Sequence, residues 1–167
     1  MSVRTDNLKE LRHFLLLCVV AALAGWMLLP VPARAQGNAA TLVIRIQDVS
    51  PKGGVLRLGL YDEVRYPDDE STPVASADVK AELGENTITL INVPPGAYAI
   101  ETFQDVNANN KMDTSWLGFP LEPFGFSRDA QPHFSKPSFA KVKFEVVPGL
   151  NVQTLHLQNS ISLIAAK

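Results

Sequence analysis

Apolar and polar side chains alternate one for one along several short segments of this chain, and this alternation limits the possible folds more than any other feature. It recurs over residues 41–49, 55–61, 86–93, 97–103, 141–147 and 152–157, with Pro or Gly between many of the segments. Alternation with period two is typical of a strand that has one buried face. No long segment has the helical period, so the pattern predicts an all-β fold, an antiparallel β-sandwich of about seven strands. A small closed barrel is the alternative.

Single segments support finer expectations. Within residues 55–61, Leu56, Leu58 and Leu60 form the face that we expect in the core. Residues 51–54, Pro-Lys-Gly-Gly, have the composition of a turn, so the first two strands are expected to form a hairpin. Residues 76–80 follow a cluster of acidic residues and prolines, and we expect a short helical turn there.

Residues 1–35 have the three parts of a secretory signal peptide. Basic residues come first, an uncharged apolar run follows over 14–29, and Ala33 and Ala35 supply the small side chains that signal peptidase accepts. We therefore predict cleavage after Ala35, a flexible lead over 36–40 and a single β-sandwich domain over 41–167. The alternative is a retained membrane anchor, but a spanning helix usually needs about 20 apolar residues and this run is shorter. The predicted location is periplasmic or secreted.

The charge of the predicted mature domain excludes two classes of partner. The chain has 15 basic and 17 acidic residues, of which residues 1–35 contain four and two. The remaining 132 residues therefore have 11 basic and 15 acidic side chains, a formal charge of −4. Such a domain lacks the basic surface that holds nucleic acid or an anionic membrane, so we expect neither partner after signal cleavage. The single cysteine, Cys18, lies in the signal segment, so the domain is predicted to have no disulfide.

Oxygen-bearing side chains recur at alternate positions between residues 105 and 113. Asp105, Asn107, Asn109 and Asp113 match the first, third, fifth and ninth positions of an EF-hand-type loop, and Lys111 at the seventh would contribute its backbone carbonyl. Ca²⁺ takes roughly six to eight oxygen ligands, and alternate placement lets a curled loop direct successive oxygens inward. The segment therefore predicts a calcium-binding loop grafted onto a β scaffold.

The same segment departs from an EF-hand. Its twelfth position is Trp116 instead of a bidentate Glu, and it follows a strand instead of a helix. Asn110 stands where Gly usually makes the sharp turn, and Asn tolerates the left-handed conformation that this turn needs. Glu122 or Asp129 are candidates to complete the ligand shell. The alternative is a plain Asn/Asp-rich turn capped by its own side chains.

Four aromatic residues follow in a segment rich in Gly and Pro: Trp116, Phe119, Phe124 and Phe126. One interpretation is a ligand-binding aromatic surface for a small ligand, such as a glycan, or for another component of the cell envelope. The other, which we favour, is a long loop folded back so that these rings cap one end of the sandwich.

Catalytic patterns are sparse in this sequence. The predicted domain has two histidines, His133 and His156, and it has no Ser/His/Asp elbow and no Gly-rich phosphate loop. We therefore expect a protein without enzymatic activity. A metal-assisted hydrolase that uses Asp105, Asp113 and His133 is the alternative.

Five segments together resemble the DUF2141 family: residues 54–61, 95–99, 103–113, 117–120 and 124–127. The resemblance covers roughly residues 41–157. It implies an exported bacterial protein of uncharacterised function with a sandwich similar to prealbumin, and it implies no reaction. The expected function is an exported binding or interaction module of the bacterial envelope with a calcium-binding loop. A metal-independent structural accessory module is the alternative.

Overall fold

A computed structural model of the chain describes residues 39–133 and 135–160. Within them the elements are β1 (Ala40–Val49), β2 (Val55–Tyr61), β3 (Ala75–Lys80), β4 (Gly84–Val93), β5 (Gly96–Asp105), β6 (Phe124–Phe126), a 3-10 turn (Ser127–Asp129), α1 (Phe139–Val142), β7 (Phe144–Val146) and β8 (Gly149–His156). The predicted signal peptide over 1–35 and most of the predicted lead lie outside the described residues. In the part of the chain that is described, no helix is long and apolar enough to span a membrane.

The first sheet has three strands in the order β4-β1-β8. The β1–β4 pair is antiparallel, whereas β1 and β8 run parallel in continuous register from Ala40 opposite Gly149 to Gln47 opposite His156. A parallel pair needs a long connection between its strands, and the whole second sheet lies between β1 and β8 in the sequence. The predicted β-sandwich is confirmed, with this one parallel pair among antiparallel ones.

The second sheet has the strand order β3-β2-β5-β6, and β7 pairs with the first residues of β5. All of these pairs are antiparallel. The strand β5 is the centre of this sheet because it contacts β2 along most of its length and β6 at Glu101–Phe103.

The expected hairpin of the first two strands is wrong. The strand β1 belongs to the three-stranded sheet and β2 to the five-stranded sheet, so residues 51–54 carry the chain across the sandwich. The buried Gln104 side chain holds this corner: its Oε1 accepts from Ser50 N at 2.8 Å, and its Nε2 donates to Ser50 O at 2.9 Å and Gly53 O at 2.7 Å. Turn composition indicates a change of direction, but the choice of sheet depends on such distant contacts.

Two other local expectations are corrected. Residues 76–80 form a strand instead of a helical turn, because β3 pairs residue for residue with β2. The expected strand over 141–147 is replaced by α1 and the short strand β7. Burial still alternates at Val142, Phe144 and Val146, so the pattern identified the buried side chains but not the backbone that presents them.

The core lies between the two sheets and consists of alternate residues of facing strands: Leu42, Ile44 and Ile46 of β1, Leu56, Leu58 and Leu60 of β2, Ile100 of β5 and Leu155 of β8. The expected burial of the three leucines of β2 is therefore confirmed. Each strand directs every second side chain inward, and the remaining side chains of the five-stranded sheet face outward.

A second apolar cluster covers one end of that outward face. Tyr66, Phe139 and Val142 pack over Ala99 of β5, with the rings of Tyr66 and Phe139 5.8 Å apart. The buried Tyr66 hydroxyl donates to Pro137 O at 2.9 Å. This cluster fixes Tyr66 and the segment 135–142 against the sheet and leaves the rest of the outward face open.

Candidate functional site

A cleft of ≈ 1170 Å³ lies over the outward face of the five-stranded sheet. Strands β2 and β5 form its floor, and residues of the segments 112–120, 131–133 and 135–136 form its walls. Ligand sites in proteins are typically concave, apolar in most of their lining and supplied with a few placed polar groups. This cleft has both kinds of lining, so it is the candidate functional site.

The floor is built from the outward side chains of two neighbouring strands, namely Arg57, Gly59 and Tyr61 of β2 and Glu101 and Phe103 of β5. Gly59 creates the space in which the Tyr61 ring lies along the strand. A Cβ atom at this position would be 2.5 Å from Tyr61 Cε2, well inside van der Waals contact. The aromatic face on the floor therefore depends on the absence of a side chain at Gly59.

One wall is a small hairpin over residues 113–121. Ser115 N donates to Phe119 O and Leu121 N donates to Asp113 O, both at 2.8 Å. Leu117 and Phe119 line the cleft and remain largely exposed, at 60% and 43%. No residue between 114 and 121 is charged, so the hairpin presents an uncharged, apolar edge to the cleft.

The structure separates the four aromatic residues that were predicted together. Trp116 is 92% exposed at the tip of the hairpin, whereas Phe124 is 4% exposed and packs edge-to-face against the half-buried Phe126, with ring centroids 6.0 Å apart. Phe119, Phe124 and Phe126 border the cleft. Neither interpretation of this segment fits all four side chains, because only part of the group is packed inside.

The opposite wall is held by Lys136. Its Nζ donates to Asp69 Oδ1 at 2.7 Å and lies 2.5 Å from Glu101 Oε1, an ion pair without hydrogen-bond geometry. It also lies over the ring of Tyr66, 4.3 Å from the centroid. Burial raises the pKa of Glu101, and the Lys136 ammonium offsets part of that rise. Lys136 thus joins its own wall to Asp69 and to Glu101 of the floor, and its single positive charge offsets part of the negative charge there.

Arg57 organises the other end of the floor. Its Nη1 donates to Asp78 Oδ2 at 2.5 Å, its Nε donates to Asp105 Oδ2 at 2.7 Å, and its Nη2 donates to Asn110 Oδ1. The Asp105 carboxylate is fully buried, which by itself would raise its pKa, but Arg57 and the amides of Asn109 and Asn110 lower the pKa below its ordinary value. Asp105 is therefore ionised and serves as the anchor of the loop that follows β5.

The loop 105–113 is closed by hydrogen bonds among its own side chains. Asp105 accepts from the amides of Asn109 and Asn110 at 3.0 and 2.8 Å. Asn107 and Asn109 donate their side-chain amides to the two carboxylate oxygens of Asp113, at 2.7 and 2.9 Å. All four predicted side-chain ligands thus turn toward the inside of the loop, an arrangement that suits either a cation or a self-capped turn.

The backbone of the loop adopts the predicted sharp turn. Asn110 has φ 68°, which confirms the left-handed conformation expected there, and Ala108 has φ 57°. Lys111, predicted to contribute its carbonyl, donates its amide to Asn109 Oδ1 at 2.9 Å. Two left-handed residues close together direct the chain back toward β5.

Of the two carboxylates considered for the ligand shell, only Glu122 lies at the loop. It is buried, and its two oxygens accept from Val106 N at 2.8 Å and from Asp113 N at 3.0 Å. Asp129 instead accepts from His156, at 2.8 Å from its amide and 3.0 Å from its ring Nδ1. Glu122 ties both ends of the loop together, and His156 is an exposed residue with a carboxylate partner.

The residues of the alternative hydrolase do not form a metal-holding cluster. Within residues 39–133 and 135–160, no group of three His, Cys, Asp or Glu side chains is placed to hold a metal. His133 lines the cleft, while Asp105 and Asp113 are bonded within the loop. The aromatic and polar side chains that line the cleft offer ring contacts and hydrogen bonds to a ligand.

The polar residues that shape this site were not predicted from the sequence. Arg57, Glu101 and Lys136 come from three distant segments, and the ion pairs Arg57–Asp105 and Lys136–Glu101 form only in the folded chain. A partial signal was available: Arg57, Gly59 and Tyr61 occupy the face of β2 opposite to the three leucines. That pattern indicates a face outside the core but gives no hint of the cleft above it.

Residues 44–154 match a family of bacterial proteins described as "Uncharacterized protein conserved in bacteria (DUF2141)". Neither a curated protein nor a solved structure matches the chain. The matched residues include β2, β5, the loop 105–113 and both walls of the cleft.

Proposed function

Because the chain belongs to the DUF2141 family, which carries no assigned activity, we propose from the site itself that it is a binding module whose ligand lies in the cleft over β2 and β5. One observation supports this more than any other: the cleft combines aromatic faces with hydrogen-bonding groups that are already fixed in place. Arg57 and Lys136 are each held by two carboxylates, so a ligand meets an ordered surface and little side-chain entropy is lost on binding.

The balance of charge indicates what kind of ligand fits. Each of the two cationic side chains of the cleft already pairs with two carboxylates, so an anionic ligand would have to break an existing ion pair and would meet an excess of negative charge. Tyr61 and Phe119 offer ring faces for apolar surface. An uncharged ligand with polar edges and an apolar face suits this lining, and a neutral glycan of the cell envelope is such a molecule.

Binding to a neutral glycan can be tested with the full chain and a panel of neutral oligosaccharides, with sulfated oligosaccharides as the charged comparison. Isothermal titration should detect at least one neutral member, and Phe119→Ala should weaken its affinity by about tenfold or more. Ile91→Ala is the control, because Ile91 is equally apolar and 69% exposed but lies on the other sheet. The proposed ligand class is wrong if only sulfated members bind, or if Phe119→Ala and Ile91→Ala have the same affinity.

Export from the cytoplasm is the second part of the proposal, and residues 1–35 support it. A cell that expresses the chain from its own start codon should release a protein that begins at Gln36, detected by intact mass in the periplasmic fraction or the medium. An uncleaved chain recovered with the membrane would favour the anchor instead.

Calcium binding by the loop 105–113 is a second candidate function, favoured by the convergence of the Asn107 and Asn109 side chains on the Asp113 carboxylate inside the loop. At a Ca²⁺ concentration one hundredfold above Kd, binding to the native state alone adds about 2.7 kcal/mol. For a domain of this size the melting temperature should rise by about 5–10 °C after chelation and Ca²⁺ addition.

The control for calcium is Mg²⁺ at equal concentration, and the matched variant is Asp113→Ala, which removes one carboxylate ligand and keeps the Arg57–Asp105 pair. A shift that is specific to Ca²⁺ and absent in the variant supports the site. If neither cation shifts the melting temperature, the loop is a self-capped turn that holds the hairpin wall in place.

A further inference from the structure

The hairpin wall, residues 113–121, carries apolar side chains that the cleft does not use. Trp116 and Leu121 are 92% and 65% exposed, and neither lines the cleft. Gly118 belongs to the turn of the hairpin and has φ 81°, and a Cβ atom at this position would meet nothing within 4 Å. The turn therefore projects from the domain with an exposed tryptophan at its tip.

The exposed apolar side chains of the hairpin wall have no charged residue among them. Residues 114–121 contain no charged side chain. The next most exposed apolar side chain of the described residues differs in this respect, because Val64 lies between Glu63 and Arg65. Apolar side chains that are exposed singly are normal on a protein surface, whereas a continuous exposed apolar patch marks an interaction site. The hairpin wall is such a patch.

The backbone of the hairpin wall forms many of its hydrogen bonds internally. Besides the two bonds between its strands, Gly118 N donates to Ser115 O at 2.9 Å and Phe119 N donates to Ser115 Oγ at 3.1 Å. Pro120 has no amide to satisfy. In an apolar medium every unpaired backbone group costs free energy, so internal pairing lowers the cost of moving this hairpin out of water.

An exposed tryptophan beside a leucine matches the chemistry of a lipid bilayer interface. The Trp side chain combines a large apolar ring with an indole N–H that keeps contact with water, and Trp collects at the boundary between lipid headgroups and acyl chains. A projecting tip enters a fluid bilayer directly, whereas a folded protein partner would have to provide a groove of matching shape. The formal charge of −4 on the predicted mature domain gives no attraction to anionic lipid, but burial of apolar side chains does not depend on charge. A bilayer with zwitterionic headgroups is the partner that fits.

We propose that the hairpin wall attaches this protein to a zwitterionic lipid bilayer by inserting Trp116 and Leu117 at the boundary between headgroups and acyl chains. The base of the hairpin stays in water, because the Asp113 and Glu122 carboxylates lie there. Glu122 also fixes this base to Val106 at the end of β5, so the inserted tip holds the cleft beside the membrane surface. This attachment does not depend on which ligand the cleft takes.

The test uses the fluorescence of Trp116 in the full chain, purified as the cell leaves it. Trp26→Phe makes Trp116 the single tryptophan, so the emission reports the hairpin wall whether or not residues 1–35 are still attached. Vesicles of phosphatidylcholine should shift this emission to shorter wavelength, and bromine atoms on the acyl chains should quench it. The shift should saturate with lipid concentration and be insensitive to added salt, because no ion pair holds the contact.

Leu117→Asp is the variant, and Leu150→Asp is the matched control in the same Trp26→Phe background. Leu150 is equally apolar and 71% exposed, but it lies on β8. A carboxylate at residue 117 would have to leave water with the tip, so the half-saturating lipid concentration should rise about tenfold or more. Leu150→Asp should leave it unchanged. If Leu117→Asp fails to fold, quenching of the Trp26→Phe protein by brominated lipid decides alone.

Three results with vesicles overturn the proposal: no quenching by brominated lipid, equal lipid dependence of the two Asp variants, or binding only to vesicles that contain anionic phosphatidylglycerol. A shift of the Trp116 emission that appears without lipid, as the protein is concentrated, would place the hairpin wall against a second copy of the chain and overturns it as well.

Discussion

Gly53 and Gly54 show how differently two neighbouring glycines can be constrained. Both have positive φ angles, 73° and 94°, but a Cβ atom at Gly53 would meet nothing within 4 Å. At Gly54 the same atom would lie 2.2 Å from Asp105 O and 2.7 Å from Val106 Cα. Because these are backbone atoms, they cannot rotate away, so the corner between the sheets packs directly on the start of the loop 105–113.

We predict that Gly54→Ala destabilises the protein by about 3 kcal/mol, since it combines left-handed strain with a clash against backbone. Gly53→Ala, which adds strain alone, should cost about 1–2 kcal/mol. Urea denaturation of the two variants measures the difference. Equal losses would mean that the close approach of residues 54 and 105 is absent in solution.

Asp105 sets a pH dependence that follows from its lowered pKa. The lowered pKa means that the ionised Asp105 side chain is more stable in the folded protein than in the unfolded chain. Its ionisation therefore stabilises the fold above the ordinary Asp pKa of about 3.9, and this stabilisation is lost as the pH falls through the lowered pKa. Asp105→Asn should therefore reduce the urea midpoint at pH 7 and flatten its decline below about pH 4. Glu63→Gln, at an exposed carboxylate, is the control. If the urea midpoint of Asp105→Asn falls with decreasing pH as steeply as that of the native protein, Asp105 does not have this role.

At the scale of elements, Glu122 connects the loop 105–113 to the hairpin that follows it. A single buried carboxylate accepts from Val106 and Asp113, so the two ends of the loop cannot separate while it is in place. The hairpin wall starts at Asp113, and its position relative to the cleft floor therefore depends on Glu122. The loop 105–113 and the hairpin wall are therefore held in place by the same carboxylate.

Glu122→Gln should cost about 1–3 kcal/mol, because the amide keeps one acceptor and directs a donor at a backbone N–H. The local effect should be larger: the amides of Val106 and Asp113 should exchange with solvent faster, as measured by hydrogen exchange. Glu63→Gln should leave both amides protected. Unchanged exchange in Glu122→Gln would show that the loop is held closed without this carboxylate.

The sequence predicts the long strands of this protein well and the connections between them poorly. The periodicity of β1, β2, β4 and β5 reflects burial on one face, which is a local property of each strand. The strand β3, Ala-Ser-Ala-Asp-Val-Lys, alternates apolar and polar residues with period two, and its pairing with β2 confirms it as a strand. Its apolar side chains are small and the segment follows a cluster of acidic residues and prolines, so this alternation was a weak signal. The cleft could not be predicted because its polar residues lie on β2, β5 and the loops above them. Only tertiary contacts bring these segments together.

At the scale of the whole molecule, two sheets share one core. Ile44 of the three-stranded sheet and Leu58 of the five-stranded sheet belong to the same buried cluster. The larger apolar cluster lies between the two sheets, so each sheet depends on the other for its stability. The sandwich should therefore unfold as one unit.

We predict that Ile44→Ala and Leu58→Ala each destabilise the protein by about 2–5 kcal/mol, as expected for cavities in a packed core. Both variants should retain one transition by calorimetry, with fluorescence and circular dichroism coincident. Ile91→Ala, on the exposed face, should change the free energy of unfolding by less than about 0.5 kcal/mol. Two separate transitions in either core variant would show that the sheets are independent.

The parallel pairing of β1 with β8 has a kinetic consequence. Among the described residues, β1 is the first strand to leave the ribosome and the middle strand of its sheet, and one of its neighbours is β8, the last described strand, with Ala40 opposite Gly149. Contacts between such distant residues make folding slow, on the order of milliseconds to seconds for all-β domains. Until residues 149–156 are made, one side of β1 has no partner, so the sandwich completes itself only after synthesis is nearly finished. The nascent chain should therefore remain without a completed sandwich for most of its synthesis.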